Sequence, residues 1–142
     1  MNPNMLYAQA ISGKVTGRSI GLIDAYHFVE VTRSVKVLAD KGGINVEQAE
    51  KIKAWFGEFL NWMTTHEYGI SEMNWKNNHG TCWAATASSM AILTDNKEVT
   101  KLCKDRFKKI KTVTQPIAII AINKKKKKIP QIYCSRFSKS DR

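Results

Sequence analysis

The nine residues at positions 75–83 combine the groups that a sugar-binding site needs. They include two amides, an imidazole, an ammonium group and two indoles. Amides and imidazoles exchange hydrogen bonds with a ligand, indole faces offer flat apolar surfaces for sugar rings, and a glycine permits close backbone approach. We therefore interpret this polar run as a sugar-handling site rather than as part of a core. Its members are Trp75, Lys76, Asn77, Asn78, His79, Gly80, Thr81, Cys82 and Trp83.

Two helices are predicted before the polar run, because apolar residues recur there at alternating three- and four-residue steps. The first extends over about residues 19–40 and is closed by two glycines. The second begins at Asn45, which can form a capping box with Gln48, and ends near Tyr68. The apolar faces consist of Phe28, Val31, Val35 and Leu38 in the first helix and of Ile52, Phe56, Phe59 and Met63 in the second.

Two further helices are predicted from the polar run onward. The third begins near Asn78 or Gly80 and continues to Thr94, and its small residues favour close contact with neighbouring helices. Asp95 can form a capping box with Glu98 at the start of the fourth. No strand signal competes before residue 112, so the sequence predicts an all-α fold. The fourth helix is expected to bury Val99, Leu102, Cys103, Phe107 and Ile110.

Length and composition fit one domain, since the chain has 142 residues and 43% hydrophobic content. No stretch approaches the roughly 20 apolar residues of a membrane span, and no secretion signal is visible. The net charge of +11 arises late in the chain: residues 1–95 hold 8 Lys and Arg against 9 Asp and Glu, whereas the remaining 47 residues hold 15 against 3. Such a tail can bind polyanions, but a lysine run is more often a solvated surface, so nucleic acid is not favoured as a partner.

Other chemistries find less support in the sequence. Cys82, Cys103 and Cys134 leave one cysteine over in any disulfide scheme, which leaves the redox compartment open. His79 and Cys82 could share a helix face as a metal pair or as a base with its nucleophile. A metal site needs three or four ligands, however, and no second pair lies nearby. We predict neither a metal site nor a cofactor.

The character of the chain changes after Lys111. Residues 112–122 are β-prone, and a run of five lysines follows. One interpretation is a β-prone segment with a disordered basic tail; the other is a change of reading frame at an adenine-rich tract. The residues leave both open. We expect a helical domain over residues 1–111 and an atypical basic tail over residues 112–142.

The Asn-Asn-His-Gly-Thr motif at residues 77–81 resembles the signature of the alginate lyase superfamily of polysaccharide lyases. It is followed by an aromatic residue and comes after a Trp-rich helix and the segment Tyr68-Gly69-Ile70. Residues 17–24 are similar to an arginine- and glycine-rich run that precedes an early helix in those enzymes. The resemblance covers residues 1–110 and implies a partial (α/α) toroid of antiparallel helix pairs. It also implies a truncated member that acts in the periplasm or is secreted.

The resemblance further implies a lyase that cleaves a polyuronate such as alginate by β-elimination. In this reaction the proton on C5 is removed and the C4 glycosidic oxygen departs. Asn78 resembles the asparagine that hydrogen-bonds the uronate carboxylate, and His79 resembles the histidine that neutralises this carboxylate or accepts the C5 proton. Further substrate contacts are expected from the donors Lys76 and Asn77, from Arg18 as a bidentate partner of a carboxylate, and from Trp75 and Trp83 as stacking surfaces.

Each of these assignments has a structural alternative. Asn78 can be a helix cap, a lone histidine is usually a satisfied core or surface residue, and Arg18 can be an ordinary surface arginine. The family also uses a tyrosine from a later helix as general acid. Tyr133 is the one tyrosine after the motif, and its surroundings do not resemble the family's segment. The competing hypothesis is a non-catalytic remnant that serves as a polyanion-binding or structural helical domain.

Overall fold

The structure is a computed structural model that describes residues 2–110. This part of the chain is helical and contains no strand beyond an isolated bridge between Ile11 and Val15, which confirms the predicted all-α fold. None of the described helices is both long and apolar enough to cross a membrane. The predicted tail, residues 112–142, lies outside the described residues. The elements are a 3-10 segment Ser19–His27, α1 Phe28–Asp40, α2 Val46–Thr65, α3 Glu67–Asn74, α4 Asn78–Leu93 and α5 Lys97–Ile110.

The first predicted helix is two elements rather than one. Residues 19–27 form 3-10 turns, and the regular α-helix begins only after them. A Cβ atom at Gly21 would lie 2.6 Å from the Cβ of Ala8, so the N-terminal segment packs directly on this backbone. Periodicity does not reveal such a contact. The predicted apolar face of α1 is also wrong in part, because Val31 and Leu38 are 44% and 45% exposed.

The start of the second predicted helix is confirmed, and its end is corrected. The Asn45 Oδ1 atom accepts the Gln48 backbone N–H at 2.8 Å, and the Gln48 Oε1 atom accepts the Asn45 N–H at 3.2 Å, which completes the predicted capping box. The helix ends at Thr65. Tyr68, which was expected to mark its end, instead lies inside α3.

The short helix α3 is not indicated by periodicity and depends on tertiary contacts. The His66 Nδ1 atom accepts the Tyr68 backbone N–H at 3.1 Å and caps the helix. A Cβ atom at Gly69 would lie 2.0 Å from the carbonyl oxygen of Met63, so only glycine lets α3 fold back against the end of α2. The Tyr68 hydroxyl donates to the Gly17 carbonyl at 3.2 Å. This bond ties α3 to the segment before the 3-10 turns.

The helix α4 lies at the centre of the described fold and contacts the 3-10 segment and each of the other helices. Eight of its 16 residues are buried, and Ala87, Met90 and Ala91 have no exposed surface. Its alanines allow close approach of neighbouring backbones, as the small residues of this segment predict. The hydroxyls of Thr32 and Ser89 form a hydrogen bond that closes α1 onto α4.

A row of rings along α2 stabilises its contact with α1. Phe28 meets Phe56 and Phe59 edge-on, with centroid distances of 5.7 and 5.6 Å. Phe59 stacks on Trp62 at 5.9 Å, and Trp62 stacks on His66 at 5.0 Å. Aromatic pairs of this kind contribute about 0.5–1.5 kcal/mol beyond their buried area. The row ends at the residue that caps α3, so the packing of α2 also fixes where α3 begins.

The start of α5 differs from the prediction. Asp95 has a backbone φ of 53°, whereas an N-cap residue adopts an extended conformation. The Asn96 Oδ1 atom accepts the Val99 backbone N–H at 3.0 Å and takes the capping role. The predicted box between Asp95 and Glu98 is therefore wrong, because Asp95 belongs to the left-handed turn that follows α4.

The buried face of α5 is narrower than periodicity indicates. Cys103 is buried and Val99 packs against the core, as predicted. Leu102 is 40% exposed, which corrects its assignment to the core. The prediction for Ile110 lies outside the described side chains.

The Asn45 capping box yields a stability prediction. We expect Asn45→Ala to lower the free energy of unfolding by about 1 kcal/mol, because the Gln48 backbone N–H in the first turn of α2 loses its partner, the Asn45 Oδ1 atom. Urea unfolding followed by circular dichroism measures the change. Asn61→Ala, an exposed position inside the same helix, is the matched control and should not destabilise the chain, since alanine is the better helix former there. Equal unfolding free energies for the two variants would contradict the capping role.

Candidate functional site

The polar run of residues 75–83 forms the connection between α3 and α4 and the first turns of α4. Asn77 is the N-cap: its Oδ1 atom accepts the His79 backbone N–H at 3.0 Å, and its carbonyl accepts the Thr81 hydroxyl at 3.3 Å. Asn78 is the first residue of the helix and is exposed. The alternative interpretation of Asn78 as the cap is therefore wrong, because its neighbour takes that role.

Gly80 and Arg106 hold this connection in place. A Cβ atom at Gly80 would lie 2.1 Å from the carbonyl oxygen of Trp75, so a larger residue would push the loop away from α4. Arg106 of α5 donates from Nη2 to the same carbonyl at 3.2 Å. Burial lowers the pKa of the Arg106 guanidinium, and its Nε atom has no hydrogen-bond partner among the described residues. The polar run thus depends on α5 as well as on α4.

A buried glutamate lies behind the imidazole of His79. The side chain of Glu72, on α3, is 0% exposed, and its Oε1 atom is 2.6 Å from the His79 Nδ1 atom. The imidazole is 22% exposed. A contact this short is typical of a charge-assisted hydrogen bond. Because Glu72 occupies Nδ1, Nε2 is the ring nitrogen that is left for a ligand.

Burial sets the protonation of the groups around this pair. It raises the pKa of the Glu72 carboxyl, and the hydrogen bond and charge of His79 oppose part of that increase. Burial and the charge of Glu72 also raise the pKa of the Cys82 thiol. A thiol with a raised pKa stays protonated at neutral pH and is a poor nucleophile. The structure therefore argues against the alternative in which Cys82 is a nucleophile with His79 as its base.

Four of the predicted substrate contacts are exposed next to His79. Lys76, Asn77 and Asn78 are exposed, and Trp75 is 45% exposed. The Trp75 ring centroid is 6.2 Å from that of His79, and the two ring planes meet at 43°. An indole in this position can present a face to a sugar ring beside the imidazole.

Trp83 does not belong to this surface. It is 2% exposed and forms part of the hydrophobic core. It lies in the second turn of α4, where neighbouring helices enclose the helix. The prediction that Trp83 stacks on a sugar ring is therefore wrong, because neither face of its indole is open to solvent.

Arg18 lies on a segment that contacts α3, and its guanidinium forms hydrogen bonds within the N-terminal segment. Its Nε atom donates to the Gln9 carbonyl at 3.0 Å, and its Nη2 atom donates to the Gln9 side-chain oxygen at 3.3 Å. These bonds hold a turn in which Gln9 has a backbone φ of 51°. The adjacent Ser19 hydroxyl is 3.4 Å from that of Ser71 on α3. Arg18 thus braces the N-terminal segment, and its role toward a carboxylate stays a prediction.

Two residues that shape the site are not predicted from the sequence. Glu72 lies on α3, which periodicity does not indicate, and Arg106 lies among the lysines of a basic helix. The one local signal for Glu72 is its place between Ile70 and Met73, two apolar residues of a short segment. A charged residue in such a place suggests a buried partner, but nothing in the sequence identifies His79 as that partner.

The described residues form no metal cluster, and a surface depression among them lies away from the polar run. Within residues 2–110, no group of three or more His, Cys, Asp and Glu side chains could hold a metal ion. A surface depression of about 570 Å³ lies where the C-terminal end of α4 meets α5, and it contains none of the predicted site residues. The candidate site is therefore the surface around His79 at the opposite end of α4.

Comparison with known proteins places these residues in a family. Residues 1–115 match the family model for alginate lyase. A crystal structure of an alginate lyase from Bacteroides ovatus is similar to the chain, with a TM-score of 0.70 and 28% sequence identity. The similarity covers 77% of this chain and 29% of that chain, so this chain spans less than a third of the solved protein. No curated protein matches the chain.

The raised pKa of Glu72 predicts a pH-dependent stability. The folded chain holds this proton more tightly than the unfolded chain, whose carboxyl titrates near the ordinary value of 4.5. The stabilisation is therefore complete below pH 4.5 and is lost as the pH rises through the raised pKa. We expect the unfolding free energy of the wild type to fall relative to that of Glu72→Gln above pH 4.5 and then to level off. Urea unfolding at a series of pH values measures this difference.

Glu67→Gln is the matched control for that experiment. It removes an exposed carboxylate from the first turn of the same helix and so reports the general effect of one charge fewer on α3. A difference between the wild type and Glu72→Gln that is constant from pH 4.5 upward would contradict the raised pKa. So would a pH dependence equal to that of the control.

Proposed function

The chain belongs to the alginate lyase family, and we propose that it is a polysaccharide lyase that cleaves a polyuronate such as alginate by β-elimination. The observation that carries this proposal is the pairing of an exposed Asn78 with His79 at the start of α4, within the matched residues 1–115. The chain has the all-α fold of the family, a partial (α/α) toroid. Because the polymer is extracellular, the proposal places the chain in the periplasm or outside the cell.

Removal of the C5 proton is the difficult step in this reaction, because it creates a carbanion next to a carboxylate. Hydrogen-bond donors on that carboxylate let negative charge spread into it and lower the barrier. A base must also reach the C5 proton, and the departing oxygen must take up a proton. The site therefore has to supply a carboxylate donor and a base within a few ångströms of each other.

Asn78 and His79 supply these two groups in the proposal. The Asn78 amide donates to a carboxylate oxygen, and the His79 Nε2 atom either donates to the carboxylate or accepts the C5 proton. The Asn77 amide nitrogen remains a donor, since only its Oδ1 atom is used by the helix cap. Lys76 adds a positive charge next to this donor, which favours a polyanionic substrate.

Two further residues extend the site along the polymer in this proposal. Trp75 offers its half-exposed indole as a platform for the sugar ring next to the reacting one. Arg18 is proposed to bind a second carboxylate through the guanidinium N–H groups that Gln9 does not use. Together they would make affinity depend on more than one uronate unit.

A second candidate is polyuronate binding without cleavage, in a non-catalytic member of the family. Of the tyrosines in the described part of the chain, all precede the motif, and the Tyr68 hydroxyl is engaged by the Gly17 carbonyl. None of these tyrosines corresponds to the general-acid tyrosine that the family takes from a later helix. Tyr133, which follows the motif, lies outside the described residues. This observation favours a site that can hold the uronate more readily than it can protonate the leaving oxygen.

Lyase activity and its dependence on two residues test the proposal. The new C4=C5 double bond is conjugated with the carboxylate, so cleavage of polymannuronate or a related polymer raises the ultraviolet absorbance. We expect His79→Gln and Asn78→Ala each to lower kcat by about a hundredfold or more, the usual scale for losing a proton-transfer or charge-stabilising group. Glutamine is chosen at position 79 because its amide can still donate to the buried Glu72.

Asn61→Ala is the matched control for the asparagine variant, because it removes an exposed amide of α2 that is not part of the polar run. It should turn over polymer at the wild-type rate. Wild-type turnover by His79→Gln would contradict the lyase assignment of this site. A wild type that binds the polymer in calorimetry but produces no absorbance would support the non-catalytic candidate instead.

A further inference from the structure

The contact between Glu72 and His79 is not explained by packing. A fully buried carboxylate loses its hydration, and exchanging a buried ion pair for apolar residues of similar volume is often neutral or stabilising. The Glu72 Oε2 atom has no hydrogen-bond partner within residues 2–110, which adds to the cost. Packing alone therefore gives no reason for a carboxylate at this position of α3. The glutamate therefore calls for an explanation in the chemistry of the histidine it contacts.

We infer that Glu72 is a positioning residue: it fixes a proton on Nδ1 of His79, so that Nε2 is the acceptor for the C5 proton of the uronate. This inference rests on the proposed function and decides within it between the two roles of His79, base and neutralising donor. Glu72 has no exposed surface and cannot touch a polymer. It acts only through the imidazole.

The number of protons in the pair determines what Nε2 can do. With one proton, the pair holds it between Oε1 and Nδ1, which are 2.6 Å apart, and Nε2 carries a free lone pair. With two protons, Nε2 carries the second and is a donor. The pair therefore gains and loses its second proton at Nε2. An imidazole without such a partner could hold its proton on either nitrogen.

The surroundings of the pair agree with this assignment. Cys82 is a further titratable side chain that interacts with Glu72, and its thiol stays protonated at neutral pH. The His79 backbone is fixed by the Asn77 side chain at the start of α4, and the Trp75 ring flanks the imidazole. The imidazole is thus held by the helix, by a neighbouring ring and by a buried carboxylate, while part of it reaches solvent.

In the proposed step, Nε2 of His79 removes the C5 proton and the glycosidic oxygen O4 leaves. Nε2 bonds to the C5 proton, and the electron pair of the C5–H bond becomes the C4=C5 double bond. The C4–O4 bond breaks with its pair on O4, which takes up a proton from water at the exposed site. The pair passes from one proton to two and returns its second proton to solvent before the next turnover.

Nitrogen-15 NMR of the histidine side chains in the full chain reads the tautomer directly. At a pH where His79 is neutral, we expect Nδ1 protonated and Nε2 bare in the wild type, and the reverse in Glu72→Gln. A glutamine that turns its NH₂ group toward Nδ1 donates one N–H to it and leaves the second N–H and the oxygen unpaired. The other orientation would leave both N–H groups unpaired in the buried place where Oε2 lies. Because an unpaired buried N–H group is rarer in proteins than an unpaired carbonyl oxygen, the switched tautomer is favoured.

His66 is an internal reference with the opposite tautomer. Its Nδ1 atom accepts the Tyr68 backbone N–H, so its neutral ring carries the proton on Nε2. The chain has three histidines, and the spectrum of His79→Gln identifies the signals of position 79. A wild-type spectrum in which His79 shows the tautomer of His66 would overturn the inference. That outcome is decided by the wild type alone, whether or not a variant folds.

Activity separates this inference from the proposed function. If the wild type cleaves polyuronate, Glu72→Gln should lower kcat by about a hundredfold or more and change KM by no more than about threefold, because the substrate contacts stay in place. A variant with the switched tautomer and wild-type kcat would overturn the inference and leave the proposed function standing. A wild type with the expected tautomer but no lyase activity would overturn the proposed function and the base role together.

Discussion

Close packing around α4 is the constraint on which the described structure depends. Ala87 and Ala91 have small side chains, so the surrounding helices can approach the α4 backbone closely. Met90 is buried between them in the same core. A larger residue at either alanine would force the helices apart, because interiors packed to crystal density absorb little extra volume. The same helix begins at the polar run. The packing that stabilises the core therefore also fixes the direction in which the first turn of α4 presents its side chains.

Residues of two further helices, α3 and α5, contribute to the candidate site. The row of rings along α2 ends at His66, which caps α3, and the absence of a side chain at Gly69 lets α3 fold back toward α4. This path delivers Glu72 to the rear of the imidazole. From the other side, α5 delivers Arg106 to the Trp75 carbonyl. The chemistry of a nine-residue run therefore depends on contacts made by residues far from it in sequence.

The separation in sequence between contacting residues explains which parts of the molecule the sequence can predict. The capping box at Asn45, the start of α2 and the extent of α4 are local properties, so periodicity and capping rules identify them closely. The helix α3 has eight residues and depends on its contacts with α2, and the Asp95 turn depends on the end of α4, so local rules miss the first and misassign the second. The sequence also does not show that Trp75 is exposed and Trp83 buried, since neighbouring helices enclose the second turn of α4, where Trp83 lies.

The same reasoning applies to the proposed elimination, whose two halves differ in what they require. Proton removal needs a carboxylate donor and a base, and residues adjacent in sequence can supply both at one helix start. Protonation of the leaving oxygen needs an acid within reach of O4, and neither Asn78 nor His79 is assigned that role. Within the described residues, Tyr68 is tied to the Gly17 carbonyl and cannot serve that oxygen without breaking the contact that seats α3. Its release would also disturb the helix that carries Glu72. The fold thus keeps the only tyrosine of α3 as a structural residue, and the two halves of the chemistry are separable: a site can bind and polarise a uronate while the departure of its leaving group depends on water.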